Sequence, residues 1–233
     1  MGSTPRDLQR NNIGVYLKRT ELVNGRPTYM KAGDPTRMMW HSGTSWMSGH
    51  AASLGTTKGF IHSRDGALTP DAATSTWRVS GQDDWVDAPE VRCLAGEALE
   101  AELAKAAPRI ALVGPTPDEF TDSMLGLFEK RAELVNGYPS YTKSGDPETM
   151  MWHAAQCWYV GVAGELGEAM GHVSVDDNAL APEAVTSTWY TYQDKWVGAP
   201  EVRCLPERIE SSRIWSYKEE RWLDESELAV FRA

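Results

Sequence analysis

Histidine and cysteine are the residue types in this 233-residue sequence that could supply a base and a nucleophile. His41 and His153 both follow Met-Met-Trp, and Cys93 and Cys204 both lie in the segment Ala-Pro-Glu-Val-Arg-Cys-Leu. A thiol becomes a nucleophile when a base within hydrogen-bond reach takes its proton. The segment around each cysteine instead predicts a small buried thiol at the end of a strand. We therefore expect no catalytic residues, and an enzyme of unrecognised type is the weakest of the functional interpretations.

Other chemical motifs do not occur. The sequence has no Cys-x-x-Cys, no His-Glu-x-x-His, no Gly-x-x-x-x-Gly-Lys and no Gly-x-Ser-x-Gly. These spacings are typical of zinc sites, phosphate-binding loops and hydrolase nucleophiles. The acidic segments 65–71 and 176–183 are too short and irregular for an EF-hand. The sequence therefore predicts neither a metal nor a cofactor.

Composition narrows the class of partner. The formal net charge is −10, and an acidic chain repels the phosphate backbone of nucleic acids. No apolar run approaches the length of about 18 residues that a membrane-spanning helix needs, so no direct membrane insertion is expected. The first residues do not resemble a secretory signal. The odd count of three cysteines favours free thiols in a reducing compartment, such as the cytoplasm or an organelle interior.

Internal repetition dominates the sequence. When the chain is aligned with itself, residues 4–77 match residues 116–189 without a gap, and 35 of 74 positions are identical. After a single deletion in the second copy, the segment Ala-Pro-Glu-Val-Arg-Cys-Leu recurs at 88–94 and 199–205. Such self-similarity is typical of a tandem duplication in which each copy has the same fold.

Each copy reads as a series of short strands. Residues 16–23 and 128–135 alternate as strands do, and each segment runs into Asn-Gly, the dipeptide of two-residue hairpins. Thr-Pro at Thr4 and Thr116 predicts a short capped helix before them. We predict a mostly β (α+β) protein made of two tandem copies of a small antiparallel β-meander. Each copy would be opened by a short Thr-Pro-capped helix and followed by a helix.

Helical segments complete the predicted organisation. Residues 95–107 consist of strong helix formers and end before Pro108, and a matching helix is predicted over 206–217. The predicted units are a first module at 4–94, a helical linker at 95–115, a second module at 116–205 and a helical, acidic tail at 206–233.

Tryptophan is unusually frequent, with ten in the chain. Large rings fill the cores of small modules efficiently, and exposed rings form platforms for sugars or peptides. Strand alternation places Trp40 on one face of its strand and His41 on the other. We expect the linker helix to cover one of these faces and the other face to be left open. Both roles stay open, and the candidate binding residues are Tyr29, Trp40, His41, Trp46, Tyr141, Trp152, His153, Trp158, Trp215 and Trp222.

The motif Asn-Gly-x-Pro-x-Tyr, then Met-Met-Trp-His, a second Trp, Leu-Gly, a Pro and two further Trp occurs in both copies. It resembles a tryptophan-rich β module found singly or in tandem in proteins of unicellular algae, dinoflagellates and other protists. That family implies no defined activity. A looser likeness to WW domains departs from them in the spacing between Tyr29 and Trp40.

Two functions of different kinds follow. The first is a non-catalytic binding or assembly module that mediates protein–protein interaction as a peripheral subunit of a larger complex. Trp215 and Trp222 have no counterparts in the first copy, and they favour a docking role for the tail. The alternative is a carbohydrate-binding module that uses an aromatic platform.

Overall fold

A computed structural model describes residues 1–116, 119–207, 213–216 and 221–224, with side chains for 1–116 and 120–207. Within this part of the chain the protein is mostly β, with two large antiparallel sheets and few helices. The first sheet has seven strands in chain order. These strands are β1 (Tyr16–Val23), β2 (Arg26–Lys31), β3 (Asp34–His41), β4 (Trp46–His50), β5 (Ile61–Ser63), β6 (Arg78–Ser80) and β7 (Trp85–Asp87).

The second sheet has nine strands in the order β15-β14-β13-β12-β11-β10-β9-β8-β16. Its strands are β8 (Arg109–Val113), β9 (Gly126–Lys130), β10 (Tyr141–Lys143), β11 (Asp146–Ala154), β12 (Cys157–Val162), β13 (Val173–Asp176), β14 (Trp189–Tyr192), β15 (Trp196–Ala199) and β16 (Arg203–Pro206). Each neighbouring pair that the register defines is antiparallel, so β9 to β15 follow chain order while β8 and β16 extend the β9 edge.

The first hairpin forms at the predicted Asn-Gly turn. Asn24 and Gly25 have φ values of 52° and 73°, a left-handed conformation that these two residue types tolerate best. The Asn24 side-chain amide also donates to the carbonyls of His41 and Gly55, each at 2.9 Å. The turn is therefore held from inside as well as by the β1–β2 ladder.

The corresponding strand of the second half is shorter than predicted. The pattern over 128–135 predicts one strand, but β9 ends at Lys130, and only an isolated bridge joins Val135 to Tyr138 beyond it. Tyr138 turns its ring fully into the core, where it stacks on His153 with ring centroids 3.9 Å apart.

The N-terminal helix prediction needs correction. Residues Pro5–Asp7 and Arg10–Asn12 form two short 3-10 turns, and the Thr4 side chain makes no capping hydrogen bond. An α-helix cannot form here because Arg6, Asp7 and Gln9 all have positive φ. In the second half α2 spans Glu119–Ser123, and residues 117–118 of the predicted helix start lie outside the described residues.

The two longer helix predictions have different outcomes. Helix α1 spans Gly96–Ala104 within the predicted segment. The predicted helix over 206–217 is wrong where it can be described, because β17 (Arg213–Ser216) pairs with β18 (Arg221–Asp224) in a two-stranded sheet. Ile214 and Trp215 are branched and aromatic residues that favour strands. Residues 208–212 and 217 lie outside the described residues.

The predicted linker contributes a strand rather than only a helix. Its residues 109–113 form β8, which lies between β9 and β16 and buries Ile110 and Leu112 completely. These two side chains belong to the same core cluster as Phe128, Tyr141 and Trp158. The second sheet is therefore closed on this side by residues that precede its meander. None of the helices in the described ranges is long and apolar enough to cross a bilayer.

Candidate binding groove at the edge of the first sheet

The matched tryptophans of β3, β4, β11 and β12 lie in the interior. Trp40, Trp46, Trp152 and Trp158 all have 0% exposure, so no ring face is free to stack on a sugar or a peptide. Each indole N–H donates to a loop carbonyl, so the buried donor has a hydrogen-bond partner. The acceptors are the carbonyls of Thr56 (2.8 Å), Ala67 (3.1 Å), Glu168 (2.8 Å) and Ala179 (3.0 Å), respectively.

The matched histidines have the same structural role. His41 Nε2 lies 3.0 Å from the carbonyl oxygen of Asp65, and His153 Nε2 lies 3.1 Å from that of Asp177. A carbonyl can only accept, so each ring donates from Nε2. Burial, followed by the nearby Lys31 ammonium, lowers the pKa of His153 to about 3. With this low pKa the His153 ring is uncharged at neutral pH, and its bond to the Asp177 carbonyl attaches the loop to the strand.

Both faces of β3 are covered, and the linker helix covers neither as a whole. Trp40 and Met38 pack with Met47 beneath the turn that carries Leu54. On the other face Met39 packs with Trp46 in the main core of the first sheet. The expectation that one face is left open is therefore wrong.

The remaining predicted residues divide between the halves. Tyr141 is fully buried, whereas its counterpart Tyr29 is only partly buried and lines a cavity. Trp215 and Trp222 lie opposite each other in the ladder of β17 and β18. Of the sequence candidates whose side chains are described, Tyr29 is the one that lines an open cavity.

That cavity is a groove of about 400 Å³ beside β1, which is the outermost strand of the first sheet. Gly14, Tyr16 and Lys18 form one wall and residues 92–96 form the other. Its floor is mainly apolar and contains Tyr29, Met39, Ser48, Ile61 and Trp77. We call this cavity the edge groove.

Peptide groups of β1 point into the edge groove. The Val15 carbonyl accepts from the Ala32 N–H on the β2 side, at 3.0 Å. Successive peptide groups alternate in direction along an antiparallel strand, so those of Tyr16 and Lys18 point away from β2. In the described part of the chain β1 has no neighbour on that side. The wall therefore offers unpaired backbone donors and acceptors, as an edge strand does.

The same place in the second half is occupied by β8. In the ungapped alignment of the two copies, Gly14 to Lys18 match Gly126 to Lys130, and β8 pairs with that segment. Beyond the single deletion, residues 92–95 match β16, which pairs with β8 from the other side. One pairing survives in the first half, since Arg92 and Met1 exchange two backbone hydrogen bonds as the matched residues Arg203 and Val113 pair.

Burial of matched residues measures the difference. Met39 and Trp77 keep 8% and 6% exposure at the groove floor, whereas Met151 and Trp189 are 0% and 2% exposed beneath β8. The lining of the edge groove is also more polar than the matched part of the second half, because Tyr16 and Ser48 replace Phe128 and Val160. Their hydroxyl groups lie 2.9 Å apart, and the Tyr16 hydroxyl also donates to the Asn12 carbonyl.

Cys93 lies in the wall of the edge groove. Burial raises the pKa of its thiol to about 11, and burial also raises the pKa of the matched Cys204 thiol. A thiol with a raised pKa carries little thiolate at neutral pH and is a poor nucleophile. The groove therefore presents Cys93 as a small apolar wall residue, and a reagent that modifies it needs an alkaline pH to form the thiolate.

Sequence reasoning missed two features that alternation could have found. The segment Arg-Ile-Ala-Leu-Val at 109–113 has the period of a half-buried strand, yet the sequence interpretation includes it in a helical linker. Tyr190, Tyr192 and Trp196 lie on the outer side of β14 and β15, and each is about 42% exposed (42%, 42% and 41%). Tyr192 and Trp196 meet edge to face with centroids 5.3 Å apart. We call these three residues the outer aromatic cluster.

Comparisons with known proteins add no template. No family model, no curated protein and no solved structure matches this chain. Its function has to be argued from its own geometry.

Proposed function

We propose that the protein is a non-catalytic protein-binding module built from two copies of one antiparallel meander. In this proposal the first copy receives an extended segment of a partner protein in the edge groove. The duplication rests on 35 identical positions of 74 and on side-chain hydrogen bonds that recur at matched positions. The binding role rests on the difference between the copies at one edge.

A single observation supports the binding role. The edge groove lies between the two segments that match β9 and β16, and those are the strands between which β8 is inserted in the second half. There the side chains of Ile110 and Leu112 are 0% exposed. In the second half β8 thus occupies the place that corresponds to the edge groove, and it indicates the kind of ligand that the groove accepts.

The example also defines the chemistry of the partner. Its segment would be extended and antiparallel to β1, with apolar side chains at alternate positions pointing to the groove floor. Backbone hydrogen bonds to Tyr16 and Lys18 would supply affinity, and the inward side chains would supply specificity. The Lys130 N–H donates to the Pro108 carbonyl at 2.8 Å, so the matched Lys18 N–H is the expected first donor.

A peptide with the sequence Pro-Arg-Ile-Ala-Leu, copied from residues 108–112, is the natural probe, because Met1 already occupies the position that matches Val113. We expect it to slow modification of the Cys93 thiol in a Cys157→Ser background and to protect the Tyr16 and Lys18 amides from hydrogen exchange. A peptide with Asp in place of Ile and Leu is the matched control, because it keeps the length but cannot enter an apolar groove.

Two variants at one position separate backbone from side-chain contributions. Lys18 is exposed, and Lys18→Pro removes its N–H in an edge strand, where proline is tolerated. Lys18→Ala keeps the N–H. We expect Lys18→Pro to weaken peptide binding by about tenfold, since one net hydrogen bond contributes about 0.5–1.5 kcal/mol. Equal binding by both variants, or no protection of Cys93 by the parent peptide, contradicts strand addition.

Carbohydrate binding remains a second candidate because of the outer aromatic cluster. Tyr190 faces Gly198 across the β14–β15 ladder, so no side chain covers its ring from that strand. Exposed rings of this kind can stack on the apolar faces of sugars, because stacking buries the apolar surface of the ring. The test is a glycan titration of Trp196→Ala against Trp85→Ala, which removes the matched tryptophan of the first half. Binding lost only in Trp196→Ala supports this candidate, and no binding by the parent protein contradicts it.

A further inference from the structure

The contact between the two halves is head to tail. The side that the first half presents carries Arg10, Val15 and Lys31, whereas the side that the second half presents carries Tyr138 and Asp176. These two sides occupy different positions of the repeat. A contact of this heterologous kind leaves two surfaces without a partner in the described part of the chain. They are the side of the second half that matches the Arg10 side and the side of the first half that matches the Asp176 side, and we call them the unused sides.

Several polar contacts cross this internal interface. Arg10 forms an ion pair with Asp176 at 2.6 Å, and Lys31 Nζ donates to Asn178 Oδ1 at 3.1 Å and to the Asn11 carbonyl at 2.9 Å. The Tyr138 hydroxyl accepts from the Val15 N–H at 3.2 Å.

Close backbone approach completes the interface. A Cβ atom added at Gly33 would lie 2.8 Å from the Ala155 backbone nitrogen, so the two turns touch. At the matched positions of the unused sides the residues are Gly145 and Gly43, and nothing lies within 4 Å of a Cβ at either. The unused sides thus keep small residues where the used sides meet.

The charges at the unused sides are reversed together. Asp122 stands at the position that matches Arg10, and Arg64 stands at the position that matches Asp176. Both are exposed. A contact between the unused sides would therefore place a carboxylate opposite a guanidinium again, with the signs exchanged. Both signs are exchanged, so the two positions still carry opposite charges. Two unrelated surfaces would have no reason to stay complementary, and the exchange therefore favours a real contact between them.

A second matched contact prepares the same side for docking. Lys143 Nζ donates to the Ser123 carbonyl, as the matched Lys31 Nζ donates to the Asn11 carbonyl. On the opposite side Arg26 donates to the Gly66 carbonyl at 3.1 Å, which directs its charge toward its own loop. Lys143 is thus held by the same kind of carbonyl contact that Lys31 makes in the internal interface.

We propose that copies of this chain associate head to tail, with the Asp122 side of one copy against the Arg64 side of the next. In this contact Asp122 and Arg64 take the places that Arg10 and Asp176 have in the internal interface, and a heterologous contact adds copies until a ring closes or a filament forms. This surface is separate from the edge groove, so self-association and peptide binding can fail independently.

Charge reversal gives a sharp test by analytical ultracentrifugation, at about 0.1 M salt and protein concentrations up to about 1 mM, where weak contacts are populated. We expect the parent protein to pass beyond the dimer as concentration rises. Asp122→Arg and Arg64→Asp should each stay monomeric, because each variant meets a like charge at every such contact. An equimolar mixture of the two should pass beyond the dimer as the parent does, because the two variants can alternate and every contact then joins a carboxylate to a guanidinium.

The doubly exchanged variant, Asp122→Arg with Arg64→Asp, is the matched control. It carries both substitutions, yet it restores opposite charges across the contact and should associate as the parent does. A parent protein that stays monomeric throughout the range overturns the proposal. So do single variants that associate like the parent, or a mixture that does not pass beyond the dimer.

Discussion

The two halves of this protein share a set of interior hydrogen bonds at matched positions, and they differ at one edge. In both halves an asparagine at the hairpin turn donates to two carbonyls, and the buried indoles and imidazoles donate to loop carbonyls at matched positions. At the edge, β8 seals the core of the second half, whereas the first half has the edge groove. The matched residues therefore specify the meander. A segment without a counterpart in the first half, β8, decides whether the edge of the sheet is covered.

The comparison changes the meaning of the repeated tryptophans. The four repeated tryptophans of β3, β4, β11 and β12 are all 0% exposed, so they lie in the interior of both halves. Trp46 and Trp158 are alike in burial and in the N–H bond they make, although one lies beside an open groove and the other beneath a strand. Binding surfaces are better sought where the copies differ, as at Tyr16, Ser48 and the outer aromatic cluster.

The largest expected effect comes from removing the seal. Leu112→Ala deletes a side chain with 0% exposure from the core of the second sheet. Such a deletion costs about 2–5 kcal/mol, because the cavity left behind collapses only in part. Urea unfolding measures the loss, and Leu22→Ala, at a position that is 65% exposed, is the control with little effect. A loss as small as that of the control would mean that β8 does not seal the core.

A matched pair gives the next largest effect. Met151 is 0% exposed beneath β8, whereas Met39 is 8% exposed and lines the edge groove. Met151→Ala should lower the free energy of unfolding by about 2–5 kcal/mol, and Met39→Ala should lower it by less, since its side chain already borders an empty volume. Saturation with the probe peptide should bring the two losses closer together. Equal losses without peptide would argue that the two sites are equally packed.

The smallest expected effect concerns the buried lysine between the halves. Burial lowers the pKa of Lys31 to about 8, against about 10.5 in the unfolded chain. Between these values the unfolded chain holds more protons, so this group makes the free energy of unfolding rise with pH, by up to about 1.4 kcal/mol per pH unit.

Lys31→Met should therefore flatten that rise between pH 8 and 10.5, and the sign follows from the lowered folded-state pKa. Urea unfolding at several pH values measures it. Lys143→Met is the matched control, because Lys143 is only partly buried, and it should leave the pH dependence unchanged. A parent slope that Lys31→Met does not alter would show that Lys31 is accessible to water.

Particular residues show how far sequence reasoning reached. The Asn-Gly turn at Asn24 was predictable because its backbone demand is local and only a few residue types meet it. The helix predicted at Thr4 failed because three nearby residues have positive φ, which no local signal announces. The site prediction gathered exposed-platform candidates by residue type, yet the strand indoles are buried. Burial depends on which loops return over a strand, and that is a long-range property.

Periodicity and self-similarity in the sequence were enough to predict a mostly β chain and to suggest the copied unit, because strand alternation and turn chemistry act over a few residues. Three things were decided only by the tertiary structure. These are that 109–113 enters the second sheet between β9 and β16, that the first sheet keeps an open edge, and that the halves meet head to tail. Each depends on contacts between residues far apart in the chain, whose free energy no short window of sequence contains.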